Sequence, residues 1–211
     1  MSKLLEHLGA QFPPDYWAQW HQEFGHDFFT LHGPRTAWYD AVLGDTLAGA
    51  RVLEIGGFPG LLAAWLLHRG CTVETIEHPE WLPDWYVTWR TGRYACTVHD
   101  VTTGAPAEKF PVGHGWDWAI MSDVLLHLDG FPFDFLAWVI ARVDHFALCQ
   151  YPGKQPAAQP CVGGSLKRVY ATPARGALIE RMGAMGAELV ESWEGHDREL
   201  FHFRGCRHAN T

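Results

Sequence analysis

From Arg51 the chain settles into an alternation that restricts its fold more than any other feature: RVLEI, then GLLAAWLLHRG, then TVETIE. The first and third runs have the length and apolar character of buried strands, and the second reads as a helix closed by Gly70. The beat continues with TGRYACTVHD as a third strand ending near Asp100 and WDWAIMSD as a fourth. FDFLAWVIARV follows as a helix and HFALCQY as a fifth strand. Strands that alternate with helices imply right-handed crossovers and a mostly parallel sheet. AELVESWEGHDRELFHFRG closes the chain as two further strands around a polar loop at residues 194–198.

The flanking segments are less regular. Residues 1–40 are rich in aromatics and histidine, and Pro13, Pro14, Gly25 and Gly33-Pro34 are expected to divide them into short helical pieces. TAWYDAVLGDTL has helical spacing and can stop at Gly44 or Gly49. PGKQPAAQPCVGGS, from residue 152, is a Pro/Gly-rich loop of the length that forms a lid or is disordered. Thr172-Pro173 predicts an N-cap and a first helical residue ahead of ARGALIERMGAMG. No linker separates two cores, so a single domain over 1–211 is expected, with 1–40 as a helical lid and 41–205 as the core.

Composition excludes some roles. The formal charge is −8 and no Lys/Arg-rich run occurs, which argues against nucleic acid as a partner. No apolar run reaches about 18 residues, so no membrane span is expected. The five cysteines form no C-x-x-C pair, and with no basic-then-apolar leader they point to the cytoplasm. Eleven tryptophans suit either packing or a pocket for a flat, apolar ligand. A small-molecule partner and a monomer or homodimer are the expectation.

Ligands of open parallel sheets sit beyond the carboxyl ends of the strands. The polar residues of interest fall there: Glu54 to Gly60, Glu77, Asp100, Ser122-Asp123 and Gln150-Tyr151. In GGFPG, glycines 56, 57 and 60 permit a tight turn and close backbone approach. Their spacing is not G-x-G-x-x-G, and no G-x-x-x-x-G-K-[ST] occurs. Glu54, just before the turn, would repel a pyrophosphate but suits an ammonium or sulfonium. Glu77 can accept the hydroxyls of a ribose, as the acidic residue of dinucleotide sites does. Asp100 can accept from an exocyclic amine.

VLEIGGFPG, the acidic end of TVETIE, VHDV and WDWAIMSDVLLHL together resemble the successive motifs of class I S-adenosylmethionine-dependent methyltransferases. RVYATPARGALIERMGAMGAELVESW resembles the last helix and strand pair of the small-molecule branch, so the resemblance runs from about residue 36 to 204. It implies a Rossmann-like three-layer α/β/α sandwich with a seven-stranded, mostly parallel sheet, the last strand antiparallel, and an N-terminal helical cap. It also implies S-adenosylmethionine as cofactor and S-adenosylhomocysteine as product. Glu54 and the turn with Gly56, Gly57, Phe58 and Gly60 would lie against the methionine part. Glu77 would bind the ribose, His78 would lie beside adenine, and Asp100 and Val101 would meet the adenine edge. Ser122 would approach the methionine moiety and the transferred methyl. The family commonly has a small residue where Phe58 stands, so either its side chain points outwards or the loop is reshaped.

His127 in SDVLLHL is the candidate general base, since its ordinary pKa suits removal of a hydroxyl proton. It also fits simple packing at a helix start, and methyl transfer can rest on proximity alone. Asp123 suggests a metal-dependent site, but such sites need further oxygen ligands, typically an Asp-Asn pair after the fifth strand, and CQYPG stands there instead. His202, Cys206 and His208 lack a fourth zinc ligand, so no metal is expected. Tyr16, Trp17, Trp20 and Phe24 can form a lid with His26 and His32 at its edge, or simply pack on the sheet. Tyr16, Trp17, His32, Tyr151, Arg168 and Tyr170 are the candidate acceptor contacts. The expected function is methylation of a small aromatic or apolar molecule, oxygen favoured, in secondary metabolism. The alternatives are a non-methylating reaction on the same cofactor and a non-catalytic interaction module.

Overall fold

The computed structural model describes residues 3–25, 27–77, 83–98, 115–128, 130–151, 153, 157–160, 166–169, 171–196 and 198–205. Three helices come first: α1 (Lys3–Gly9), α2 (Pro14–Phe24) and α3 (Phe28–Leu47). Strands and helices then alternate as β1 (Arg51–Ile55), α4 (Leu61–His68), β2 (Thr72–Glu77), α5 (Asp84–Arg90), β3 (Ala95–Val98) and β4 (Trp116–Ser122). A short 3₁₀ turn at Leu125–His127 leads to α6 (Phe133–Ile140) and β5 (Val143–Gln150). The chain ends with β6 (Ala157–Pro160), β7 (Leu166–Val169), α7 (Arg175–Ala184), β8 (Glu188–Gly195) and β9 (Arg198–Arg204).

The main sheet has seven strands in the order β3-β2-β1-β4-β5-β9-β8. Strands β1 to β5 pair in parallel, with Ile55 opposite Ile76 on one side and Met121 on the other. The last strand, β9, runs antiparallel to β5 and to β8. Alternate residues feed two apolar layers, as the period of two along a strand requires. Val52, Val73, Trp118, Ile120 and Ala147 meet Tyr39, Leu43 and Leu47 of α3 and Trp65 and Leu66 of α4. Leu53, Ile55, Met121, Phe146 and Phe201 meet Phe135 and Val139 of α6 and Leu178 and Met182 of α7. The expected sandwich, seven-stranded sheet and antiparallel last strand are therefore present, with the N-terminal helices on the α4 side.

Three local expectations are corrected. Gly33-Pro34 does not divide the N-terminal segment, because α3 runs through it for 20 residues. Asp27 starts that helix, accepting from the Thr30 amide at 2.8 Å. Pro34 removes one backbone donor, but burial of Thr36, Tyr39, Leu43 and Leu47 at helical spacing outweighs that local loss. The segment from residue 152 is not wholly irregular: β6 and β7 pair as an antiparallel hairpin from Ala157 opposite Val169 to Pro160 opposite Leu166. Thr172 does not cap α7; Ala174 stands at that N-cap, and the Thr172 hydroxyl donates to the Tyr151 carbonyl.

Polar and aromatic contacts tie the N-terminal helices to the core. Phe12 stacks on Trp89 of α5 at 4.4 Å, and Trp89 Nε1 and Arg93 Nη2 both donate to the Gln11 carbonyl. Asp40 of α3 accepts from Trp65 Nε1 and Arg69 Nε, each at 2.7 Å, and from Arg69 Nη2. Among the described residues, no helix is long and apolar enough to cross a membrane. Asp40→Ala leaves the buried Trp65 N–H unsatisfied and removes bonds to a charged group, so it should lower stability by about 2–3 kcal/mol. Urea unfolding checks this: the midpoint should fall with the slope unchanged, and an unmoved midpoint would remove Asp40 from the tie.

Candidate functional site

In the sheet order β1 lies between β2 and β4, so the chain leaves β1 to one side and returns to β4 on the other. A crevice at the carboxyl ends of the strands opens at such a switch point. The glycine turn lies there, and Gly56 enters it with φ 72° while its amide donates to the Ile76 carbonyl at 2.7 Å. Close approach explains two of its glycines. A Cβ on Gly57 would stand 2.4 Å from Glu54 Oε2 and 3.1 Å from Glu77 Oε1. A Cβ on Gly56 would stand 2.3 Å from Val124 Cγ2. The turn is thus pressed against a pair of acids on one side and the end of β4 on the other.

Both acids are buried, Glu54 with 0% and Glu77 with 1% of its surface exposed. Glu77 accepts from the Tyr86 hydroxyl and from the Gly57 and Phe58 amides. Glu54 has no hydrogen-bond partner for either carboxylate oxygen among the described residues. Burial lifts its pKa well above the ordinary carboxylate range, and the Glu77 charge adds to that. Burial also pushes Glu77 up to about 7, against the lowering effect of its bond from Tyr86 and of Arg90. Two acids that cannot both ionise cheaply, one of them without a donor, form a receptor for positive charge.

Phe58 does not point outwards. Its ring turns towards the N-terminal helices and α5, with centroids 5.7 Å from Trp20, 5.9 Å from Phe24, 5.5 Å from Trp85 and 5.2 Å from Tyr86. The Phe58-Pro59 peptide is cis. The Tyr16 hydroxyl donates to the Pro59 carbonyl at 2.5 Å, so α2 is fastened to the turn itself. Trp17 packs on Phe12 and Phe29, within the helical layer.

A second polar cluster gathers at the end of β4. The Ser122 and Tyr39 hydroxyls share a hydrogen bond at 2.7 Å. Asp123 holds a positive φ of 57°, unusual for a residue with a side chain, and its amide donates to the Cys149 carbonyl. Its carboxylate pairs with Arg35 and accepts from Arg198 Nε at 2.9 and 3.0 Å. Arg35 Nη2 meets His32 Nδ1 at 2.7 Å, and the Arg198 guanidinium lies 4.1 Å over the Tyr151 ring. Sequence reading missed Arg35 and Arg198. They stand far from Asp123 along the chain, and only a salt-bridge partner for Asp123 was open to inference.

The other candidates are placed as follows. His127 ends the 3₁₀ turn after β4, half-buried beside the buried Leu125 and Leu126. Arg168 lies on β7. His202 pairs with His145 at 3.0 Å on the neighbouring strand. His26, His78, Asp100, Val101, Tyr170, Cys206 and His208 lie outside the described residues.

No protein-family model matches the chain, and no curated protein matches it. Solved structures do. The magnesium protoporphyrin IX methyltransferase of Synechocystis PCC 6803, with bound SAH, is similar at a TM-score of 0.61 and 13% identity, over 90% of this chain and 93% of that one. The 1,6-didemethyltoxoflavin-N1-methyltransferase of Burkholderia thailandensis, with bound 1,6-didemethyltoxoflavin and S-adenosylhomocysteine, gives 0.54 and 16%, over 83% and 84%. The CcbJ methyltransferase of Streptomyces caelestis gives 0.58 and 14%, over 83% and 90%. At such identities the likeness establishes the fold.

The acid pair has a consequence for stability. Glu77 is raised above its unfolded value, so its contribution is fully present below about pH 4.5 and is lost as pH rises through about 7. Thermal unfolding of the unliganded protein should therefore show falling stability between about pH 5 and 8. Burial raises Glu54 as well, so Glu54→Gln removes a second acid that resists ionising and should lessen that fall, raising stability at the upper end by roughly 1–3 kcal/mol. A variant less stable than the parent at the upper pH would show that Glu54 is not an unsatisfied acid.

Proposed function

We propose that the chain, which has the fold of S-adenosylmethionine-dependent methyltransferases, transfers a methyl group from that cofactor to a small molecule. The observation that carries the reading is the acid pair at the sheet's switch point, with Glu54 buried and without a donor. These residues fit the cofactor, which is cationic at sulfur and ammonium and rich in hydroxyls. Glu54 would face the positive methionine end, and Gly56, Gly57, Phe58 and Gly60 would follow it with backbone. Glu77 would take ribose hydroxyls; a carboxylate offers about four acceptor sites, and three donors already use part of that capacity. Ser122 and Tyr39, bonded to each other, would border the methyl group, and His78, Asp100 and Val101 would meet adenine. Bound there, the cofactor supplies an electrophilic methyl carbon on sulfur.

Oxygen is the favoured acceptor atom, and the support for it is His127, a half-buried imidazole just beyond the end of β4 that can take a hydroxyl proton. Trp17, Arg168 and Tyr170 remain acceptor contacts under this reading, with a role in small-molecule biosynthesis. A second reading has one observation behind it: Phe58 and Tyr16 fasten the turn to α2, as a non-catalytic protein that keeps the fold would allow.

Calorimetry with S-adenosylhomocysteine separates the two. Ligand that favours the ionised acids should bind more tightly as pH rises through about 7 and should release protons, visible as a buffer-dependent enthalpy. Glu77→Gln should weaken binding by about 1–3 kcal/mol. No binding at millimolar ligand would favour the non-catalytic reading, and binding without methyl transfer across an acceptor panel would point to a different reaction.

A further inference from the structure

Among the described residues, the second cluster carries more positive charge than it neutralises. Arg35 and Arg198 share the single carboxylate of Asp123, with side chains 13%, 12% and 16% exposed. Among the described residues, no other group set against them brings a negative charge. Arg35 also meets His32 Nδ1, and burial pushes the Cys149 thiol up to about 12 and raises the Tyr39 and Tyr151 hydroxyls. Glu199, next to Arg198 in β9, pairs instead with Arg175 of α7. A surplus cation withdrawn from water is costly unless an anion completes it.

The donors are arranged for such an anion. Arg198 spends Nε on Asp123 and Nη1 on the His196 carbonyl, and its Nη2 has no partner among the described residues. A guanidinium presents parallel donors that match a carboxylate. Its face lies on the half-buried Tyr151 ring, and the half-buried His32 ring stands beside Arg35. The place is apt as well, because Ser122 precedes Asp123 and Val124, which follows it, presses against Gly56 of the glycine turn.

We propose that Arg35, Asp123 and Arg198 form a recognition site for an anionic group, a carboxylate on a small aromatic acceptor, with Arg198 Nη2 as its open donor. That the anion belongs to the methyl acceptor rests on the methyltransferase reading; anion binding itself does not. A cluster that merely clamps the turn at Asp123 would respond to mutation in stability but would not discriminate charge.

The test uses the full chain with benzoate and its neutral isostere benzamide as probes, titrated by calorimetry with and without S-adenosylhomocysteine. Benzoate should bind at least tenfold more tightly than benzamide, and added salt should weaken benzoate alone. Arg198→Gln should abolish the preference while leaving affinity for S-adenosylhomocysteine unchanged, and Arg198→Lys should keep part of it. If Arg198→Gln fails to fold, the preference and salt response of the parent and of Arg198→Lys decide the matter. Equal binding of the two probes, or no benzoate binding at millimolar concentration by the folded protein, would overturn the proposal. Discrimination without S-adenosylhomocysteine binding would leave the anion site standing and remove the methyltransferase reading instead.

Discussion

Two carboxylates brought together beneath one glycine set the terms for this end of the molecule. Glu54, one residue before the end of β1, and Glu77, the last of β2, reach the same point under Gly57, where a Cβ could not fit. Burying acids side by side is unfavourable for the folded chain. The surroundings compensate only one of them: Glu77 receives the Tyr86 hydroxyl and two backbone amides, and Glu54 receives none among the described residues. A core built for stability alone would place apolar side chains there. Local cost concentrated at a switch point of the sheet is the pattern expected where binding, rather than folding, selects the residues.

The same acids explain why the N-terminal helices lie where they do. Tyr86 comes from α5, and the neighbouring α5 residue Trp89 stacks on Phe12 before α2. From α2, Tyr16 reaches back to the Pro59 carbonyl in the glycine turn. The path from Glu77 through α5 and the cap to the turn is therefore closed. Phe58 occupies the middle of that ring, against Trp20, Phe24, Trp85 and Tyr86. A small residue in its place would leave the cap without a wedge into the turn, so Phe58 is a packing device between cap and loop.

What was legible in the sequence follows the same physics. The sheet could be read because its strands are short apolar runs bounded by glycines and polar ends, and Glu54 and Glu77 could be singled out because they interrupt apolar strands. The length of α3 could not, because Gly33-Pro34 is a strong local stop signal and only burial of Tyr39, Leu43 and Leu47 against the sheet overrides it. The β6–β7 hairpin was hidden for the opposite reason: each strand has four residues, too few to show a period amid prolines and glycines. Arg35 and Arg198 were invisible as a pair, since α3 and β9 bring them to Asp123 from opposite ends of the chain.

The two polar clusters differ in sign, and their order across the sheet gives the site a direction. The acids belong to β2 and β1, Asp123 follows β4 and Arg198 opens β9, so charge changes from negative to positive along β2-β1-β4-β5-β9. Between them Val124 meets Gly56, and Ser122 and Tyr39 hold each other. Burial strengthens both clusters, because water screens neither fully. A cation held towards β1 and an anion held towards β9 would satisfy both at once, and the reverse placement would oppose both. Charge sign thus supplies orientation here, which apolar contacts alone would leave open.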